Sequence, residues 1–237
     1  IVFLFVLLYS TSSWGASASV SASPQADGGV QATVTGSFAS CAVCDAFDAN
    51  GVCITSHTNN SGSVSLSRDG GFLCSASGNG SATCTVIEDR GGLHGTHVYN
   101  GSASDCTGSG TSSFTLTLDN TPTIAVTSPV GVVSGFFDVS GNATFKPTQS
   151  SLKGTIAGFI NGSHVGTKFC GTESCTFSYR ELHGVFFEIG HGGPYTVLLV
   201  AQGGGASASD QKSFTVDNMP TIAVTSPVGV VSGFFDV

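Results

Sequence analysis

Seventeen residues occur twice in this chain. Thr123 to Val139 read TIAVTSPVGVVSGFFDV, and Thr221 to Val237 repeat them unchanged 98 positions later. Each copy follows a related lead-in, Asp119-Asn120-Thr121-Pro122 and Asp217-Asn218-Met219-Pro220. A fixed period near one hundred residues is the mark of small domains strung in line, not of one large enzyme core. Within the block, Ile124 and Val126 alternate with Ala125 and Thr127, the period of a half-buried strand. Ser128-Pro129 and Gly131 then break the run before a second β-prone segment of Val132, Val133, Phe136, Phe137 and Val139. Pro122 and Pro220 cannot donate to a ladder, which suits a domain entry or an edge strand. Copied DNA accounts for the identity equally well, so the block speaks to architecture and not to a ligand.

Composition supports the same class. Only 9% of the 237 residues are charged, against about a quarter in an ordinary soluble domain. Val, Thr and Phe dominate and helix formers are scarce, so the expected chain is all-β. Net charge is −8 with seven Lys and Arg, too few cations to cluster against phosphates, which argues against nucleic acid as a partner. The chain lacks an initiator Met and ends at the last residue of the second copy of the block, so it is expected to be a piece of a longer protein.

Residues 1–18 (IVFLFVLLYSTSSWGASA) open with an apolar run and end in Ala16-Ser17-Ala18, the h-region and small-residue cleavage site of a secretory signal without its basic start. A membrane anchor is the alternative, but the run before Ser10 is too short to span a bilayer. The mature chain is then expected to begin near Ser19, with no membrane insertion. Residues 19–118 form a first module with an insertion at 39–61 that has no counterpart later. Residues 119–216 form a second, and 217–237 start a third. Gly62-Ser63-Val64-Ser65-Leu66 parallels Gly154-Thr155-Ile156-Ala157-Gly158, and Phe114 to Leu118 parallels Phe214-Thr215-Val216. Tyr195 to Ala201 (YTVLLVA) is apolar at both alternating sets, which predicts a central strand covered on most of both faces. Seven or so short strands with Gly-rich turns per module read as tandem antiparallel β-sandwiches.

The D-N-x-P-T-I-x-V-x-S-P opening at 119–129 and 217–227, V-S-G-N-A at 139–143 and G-P-Y-T-V at 193–197 resemble the bacterial immunoglobulin-like repeats of large surface proteins, adhesins and multidomain secreted enzymes. The resemblance covers the second module throughout and the first more loosely. It implies tandem immunoglobulin-like sandwiches, and a corner-capping role for Tyr195, whose place His97 takes in the first module. It identifies a fold and leaves the function open.

Eight cysteines in an exported chain imply disulfides. Cys74 with Cys84 and Cys170 with Cys175 are expected as hairpin staples, each stabilising by roughly 2–3 kcal/mol. Cys41, Cys44, Cys53 and Cys106 allow three connectivities that sequence does not rank; two bridges fastening the insertion to the sandwich are expected. A zinc site of Cys41, Cys44, Cys53 and His57 is the competing reading, disfavoured by an oxidising compartment.

Asp119 with Asp138, and Asp217 with Asp236, stand where calcium stiffens the linkers of some repeat adhesins, though calcium needs six to eight oxygens. Asx turns account for the same residues. No other cofactor is indicated. His94 and His97 have metal-like spacing without a third ligand nearby, and read as surface or strand-end residues. Glu88-Asp89-Arg90 and Arg180-Glu181 read as solvated turn charges. No nucleophile elbow, zincin helix or phosphate-cradling loop is present, so this span is not expected to be an enzyme. A sugar platform finds little support, because the only Trp, Trp14, lies in the expected signal. Sequons stand at Asn59, Asn79, Asn100, Asn142 and Asn161.

The function these features favour is a secreted or cell-surface repeat protein, its modules serving as stalk and adhesive surface for a surface ligand or protein partner. Two alternatives stay open: non-catalytic spacers of a large secreted hydrolase, and the subunit of a self-assembling extracellular filament.

Overall fold

The computed structural model describes residues 15–219. The apolar run of the expected signal, Asp236, and the second copy of the repeated block lie outside the described residues. The chain forms two compact units. One comprises residues up to 121 together with 145–153 and 203–206; the other comprises 122–144, 154–202 and the residues from 207 on.

The first unit holds nine strands: β1 (Ser17–Pro24), β2 (Gly29–Ser37), β3 (Cys41–Phe47), β4 (Cys53–Asn59), β5 (Ser61–Arg68), β6 (Gly71–Asn79), β7 (Ser81–Asp89), β8 (Gly95–Asp105) and β9 (Ser109–Leu118). A three-stranded sheet of order β1-β2-β7 is matched with a four-stranded sheet of order β6-β5-β8-β9. Strict alternation builds the core between them. Val30, Ala32 and Val34 of β2 and Val64 and Leu66 of β5 are buried, while the residues between them face outward. The sandwich begins before the expected mature start at Ser19. Ser17 and Ala18 pair with Ser37 and Gly36, and Ala16 is buried among the core residues.

The second unit holds β10 (Thr123–Ser128), β11 (Gly131–Val133), β12 (Phe136–Phe137), β13 (Ser140–Thr144), β14 (Gly154–Ile160), β15 (Ser163–Cys170), β16 (Ser174–Ser178), the five-residue helix α1 (Tyr179–His183), β17 (Phe187–Glu188), β18 (Gly192–Gly203) and β19 (Ala206–Val216). Its sheets run β10-β13-β16 and β11-β19-β18-β14-β15, with β12 and β17 paired separately. The first copy of the block thus opens with one strand broken across two sheets. β10 pairs antiparallel with β13, and after the Ser128-Pro129-Val130 break β11 pairs parallel with β19. β18 is the middle strand of five, and Val197, Leu199 and Ala201 are fully buried while Leu198 and Val200 are half-buried. That is the two-sided cover its apolar run predicts.

The cysteines correct two expectations. Cys74 is bonded to Cys84 and Cys170 to Cys175, but these are not staples within a hairpin. β6 and β7 belong to opposite sheets, as do β15 and β16. Each bridge therefore clasps the two sheets where the chain crosses from one to the other. In the insertion, Cys41 bonds Cys106 and Cys44 bonds Cys53. Only the first ties the insertion to the sandwich, at the turn after β8; the second lies inside the insertion itself. With all four sulfurs oxidised, the zinc reading loses its thiolates.

Candidate functional site

The insertion folds as a hairpin, β3 against β4, and β4 is exposed over nearly its whole length. An isolated two-stranded ribbon is marginal in water, and the two bridges supply what it lacks: Cys41–Cys106 anchors its base, and Cys44–Cys53 holds its strands. Asp48 builds the tip. Its carboxylate accepts the N–H groups of Asn50 and Val52, each at 2.8 Å, and Gly51 takes the left-handed conformation (φ 81°) that closes the loop. These donors, Val52 N–H first, hold the Asp48 carboxyl below its ordinary pKa. His57 pairs with Asp45 at 2.6 Å. Around this fixed loop Phe47, Val52 and Ile54 are 63%, 60% and 61% exposed. The hairpin thus carries three exposed apolar side chains about a loop held by hydrogen bonds.

Both sheets of the same unit are plated with hydroxyls on their outer faces. Register places Ser19, Thr35 and Thr83 in one row of the three-stranded sheet and Ser21, Thr33 and Thr85 in the next. On the four-stranded sheet Ser77, Ser63, Ser104 and Ser109 form a row, followed by Ser75, Ser65, Ser102 and Thr111. Cross-strand hydroxyl bonds link several of them, Thr33 to Thr85 at 3.1 Å and Ser65 to Ser102 at 2.8 Å.

At one end of this sandwich a polar network spans the sheets. The Tyr99 hydroxyl, on a fully buried ring, donates to Glu88 at 3.1 Å, and Arg68 pairs with the other Glu88 oxygen. Burial first, and the Glu88 charge second, push the Tyr99 phenol up to about 12. Asp69 accepts from Val98 N–H at 2.8 Å and pairs with His97 at 2.7 Å, and the His97 contact leads in depressing its pKa. Glu88 is therefore a structural group between two sheets, and the expectation of a solvated turn charge fails for it. The sequence pattern could not place Arg68 and Tyr99, 20 and 11 residues away, against it.

The strand order decides the fold: three strands on one sheet, four or five on the other, with the chain crossing sheets after β6 and after β15. Both units are immunoglobulin-like sandwiches. No family model matches the chain, and no curated protein does. Solved structures similar to it are tandem modules of this kind. They include the fibronectin(III)-like modules of Clostridium thermocellum CbhA (11% identity, TM-score 0.31, covering 84% of this chain and 95% of that one). The three N-terminal domains of the bacteriophage RB49 outer capsid protein Hoc match at 14% identity and TM-score 0.38, over 85% of this chain and 59% of that one. A 1.5-MDa bacterial ice-binding adhesin matches at 16% identity and TM-score 0.30, over 81% and 59%.

In the second immunoglobulin-like module Tyr195 donates to the Gly190 carbonyl at 3.2 Å, five residues upstream. In the first, the buried Tyr99 bridges sheets instead, and His97 beside it turns to Asp69. The calcium candidates are each engaged locally. Asp119 accepts from Thr121 N–H at 2.9 Å and Asp217 from Met219 N–H at 3.0 Å; Asp138 accepts from the Ser178 hydroxyl and Arg180 N–H at the start of α1. Among the described residues no three His, Cys, Asp or Glu side chains converge. The asparagines beside them matter more. His94 Nδ1 accepts Asn120 N–H, and His191 Nδ1 accepts Asn218 N–H, a role for those histidines that sequence spacing did not suggest.

Proposed function

We propose that the chain is part of a secreted or cell-surface repeat protein whose immunoglobulin-like modules act as a stalk and as an adhesive surface. One observation carries the adhesive half: the hairpin β3–β4, braced by two disulfides, presents Phe47, Val52 and Ile54 to solvent. Such side chains cost solubility unless they meet a partner, and none of the three belongs to the buried core of that unit. Four disulfides support an oxidising, exported setting. The wide hydroxyl-plated faces with few charges suit a module that stands in solvent and does no chemistry.

The test has two arms. Antibodies raised against residues 15–219 label intact source cells or the medium; labelling only after permeabilisation refutes the location. Beads coated with the chain adhere to those cells, and Phe47→Ser with Ile54→Ser lowers adhesion at least tenfold while the melting temperature holds. Unchanged adhesion removes the hairpin from the role.

A further inference from the structure

The outer face of the four-stranded sheet carries a depression of about 560 Å³, lined by Ser65, Ser67, Asn100, Ser102, Thr111 and Ser113. Register sorts these into two neighbouring rows, Ser65-Ser102-Thr111 and Ser67-Asn100-Ser113. Adjacent rows on such a sheet lie about 6.7 Å apart along the strands, and neighbours within a row about 4.8 Å apart. At the β6 end of the second row stands Phe72, paired with Ser67 and 70% exposed. No charged residue occupies either row, and among the described residues nothing hydrogen-bonds the Asn100 side-chain amide.

An exposed aromatic ring in one row with an amide, amid a lattice of hydroxyls, is a specific chemical offer. The ring face takes C–H groups and the apolar side of a ring. The hydroxyls both donate and accept, and the amide does each with a fixed geometry. A charged ligand would find no counter-charge and would leave its ionic groups unpaired on desolvation. A nucleic acid is excluded for the same reason. A protein patch would need an apolar centre, and here the centre is hydroxyl. Sugar residues of a neutral polysaccharide match all of it. The scarcity of Trp hides this at the level of sequence, because Phe72 and Asn100 come together only through strand pairing.

We propose that this trough binds a neutral polysaccharide, with Phe72 stacking on a sugar ring and Ser67, Asn100, Ser102 and Thr111 exchanging hydrogen bonds with its hydroxyls. The inference rests on the adhesive reading above and names a ligand class for a second face of the same module. The full chain, made in bacteria so that the Asn100-Gly101-Ser102 sequon stays bare, is passed over cellulose, chitin and amylose resins, with heparin resin as the anionic comparison. Retention on at least one neutral resin, unaffected by raised salt, is the expected result. Phe72→Ala and Asn100→Ala then weaken binding tenfold or more, and Thr111→Arg, at an exposed position, blocks it. Thr33→Val with Thr85→Val, on the opposite sheet, leaves it intact. No retention on any neutral resin, retention that disappears with salt, survival of binding in Thr111→Arg, or equal loss in the Thr33 and Thr85 variant overturns the proposal. Cells labelled from outside while every resin fails would leave the surface reading standing and remove this one.

Discussion

His94 accepts the backbone N–H of Asn120 through Nδ1 at 3.1 Å, and the Asn120 side chain in turn holds Arg90 from both ends, accepting from its Nε at 2.8 Å and donating to its carbonyl at 2.8 Å. Asn120 is only 1% exposed, so its polar atoms have no water to fall back on. His191 and Asn218 repeat the first of these bonds at 3.3 Å, but there Asn218 is exposed. His94→Phe is expected to destabilise by about 1–3 kcal/mol, the cost of orphaning a buried donor. His191→Phe should cost clearly less. Denaturant unfolding of the two variants measures the difference, and equal losses would mean burial of Asn120 is not what matters.

Tyr99 sets an alkaline limit. Its folded pKa, about 12, stands above the ordinary phenol value of about 10, so the neutral form is the one the fold prefers. The linked stability is fully present below pH ~10 and is lost as pH rises toward ~12. Ultraviolet titration of phenolate in the folded chain is expected to show one tyrosine ionising late. Tyr99→Phe should remove that late step and, by leaving Glu88 one donor short, cost about 1–3 kcal/mol at neutral pH.

How far the sequence could reach is visible in these residues. The period, the alternation in β2, β5 and β14, and the two-sided cover of β18 all follow from local pattern, because burial on one or both faces writes itself into side-chain order. Partners that depend on register do not. Which sheet receives β7 or β16 decides whether Cys74–Cys84 and Cys170–Cys175 staple a hairpin or clasp a sandwich, and residue spacing is the same in both cases. Phe72, Ser67 and Asn100 share a row only once β5 is known to lie between β6 and β8. His94 was legible as a residue near a strand end, but its bond to Asn120 joins positions 26 apart across a loop.

Asp210 gives the second module an acid limit. Its carboxylate accepts the Val126 N–H at 2.8 Å, tying β19 to β10 on the facing sheet. That bond, more than the nearby Lys212, holds the Asp210 carboxyl below its ordinary pKa. A depressed carboxylate contributes stability above its unfolded value of about 3.9 and loses it as pH falls through the folded value. Asp210→Ala should cost about 1–2 kcal/mol at neutral pH. The gap between wild type and variant should close below pH ~4; a gap that persists there would trace the loss to packing.

Millimolar calcium is expected to leave the melting temperature unchanged. Asp119 and Asp217 each fold back on the N–H two residues ahead, and Asp138 serves the start of α1. Among the described residues no third acidic side chain joins any of them, and calcium asks for six to eight oxygens. A calcium-dependent rise of several degrees in a thermal scan of the full chain would refute this.

The first strand bears on where an exported chain is cut. Ala16 is 1% exposed within the core, and Ser17 and Ala18 extend the β1–β2 ladder. Cleavage after Ala18 would remove two ladder pairs and empty a buried site, at a cost of about 1 kcal/mol or more for the lost apolar burial alone. Ser13 and Gly15 are small residues one apart, so the pattern a signal peptidase reads also occurs one step upstream of Ala16. Under the export proposed above, the mature N-terminus is therefore expected at or before Ala16. N-terminal sequencing of material from the medium or cell surface checks it directly. A start at Ser19 would mean that the sandwich tolerates the loss, and a chain made from Ser19 would then melt at the same temperature as one made from Ala16.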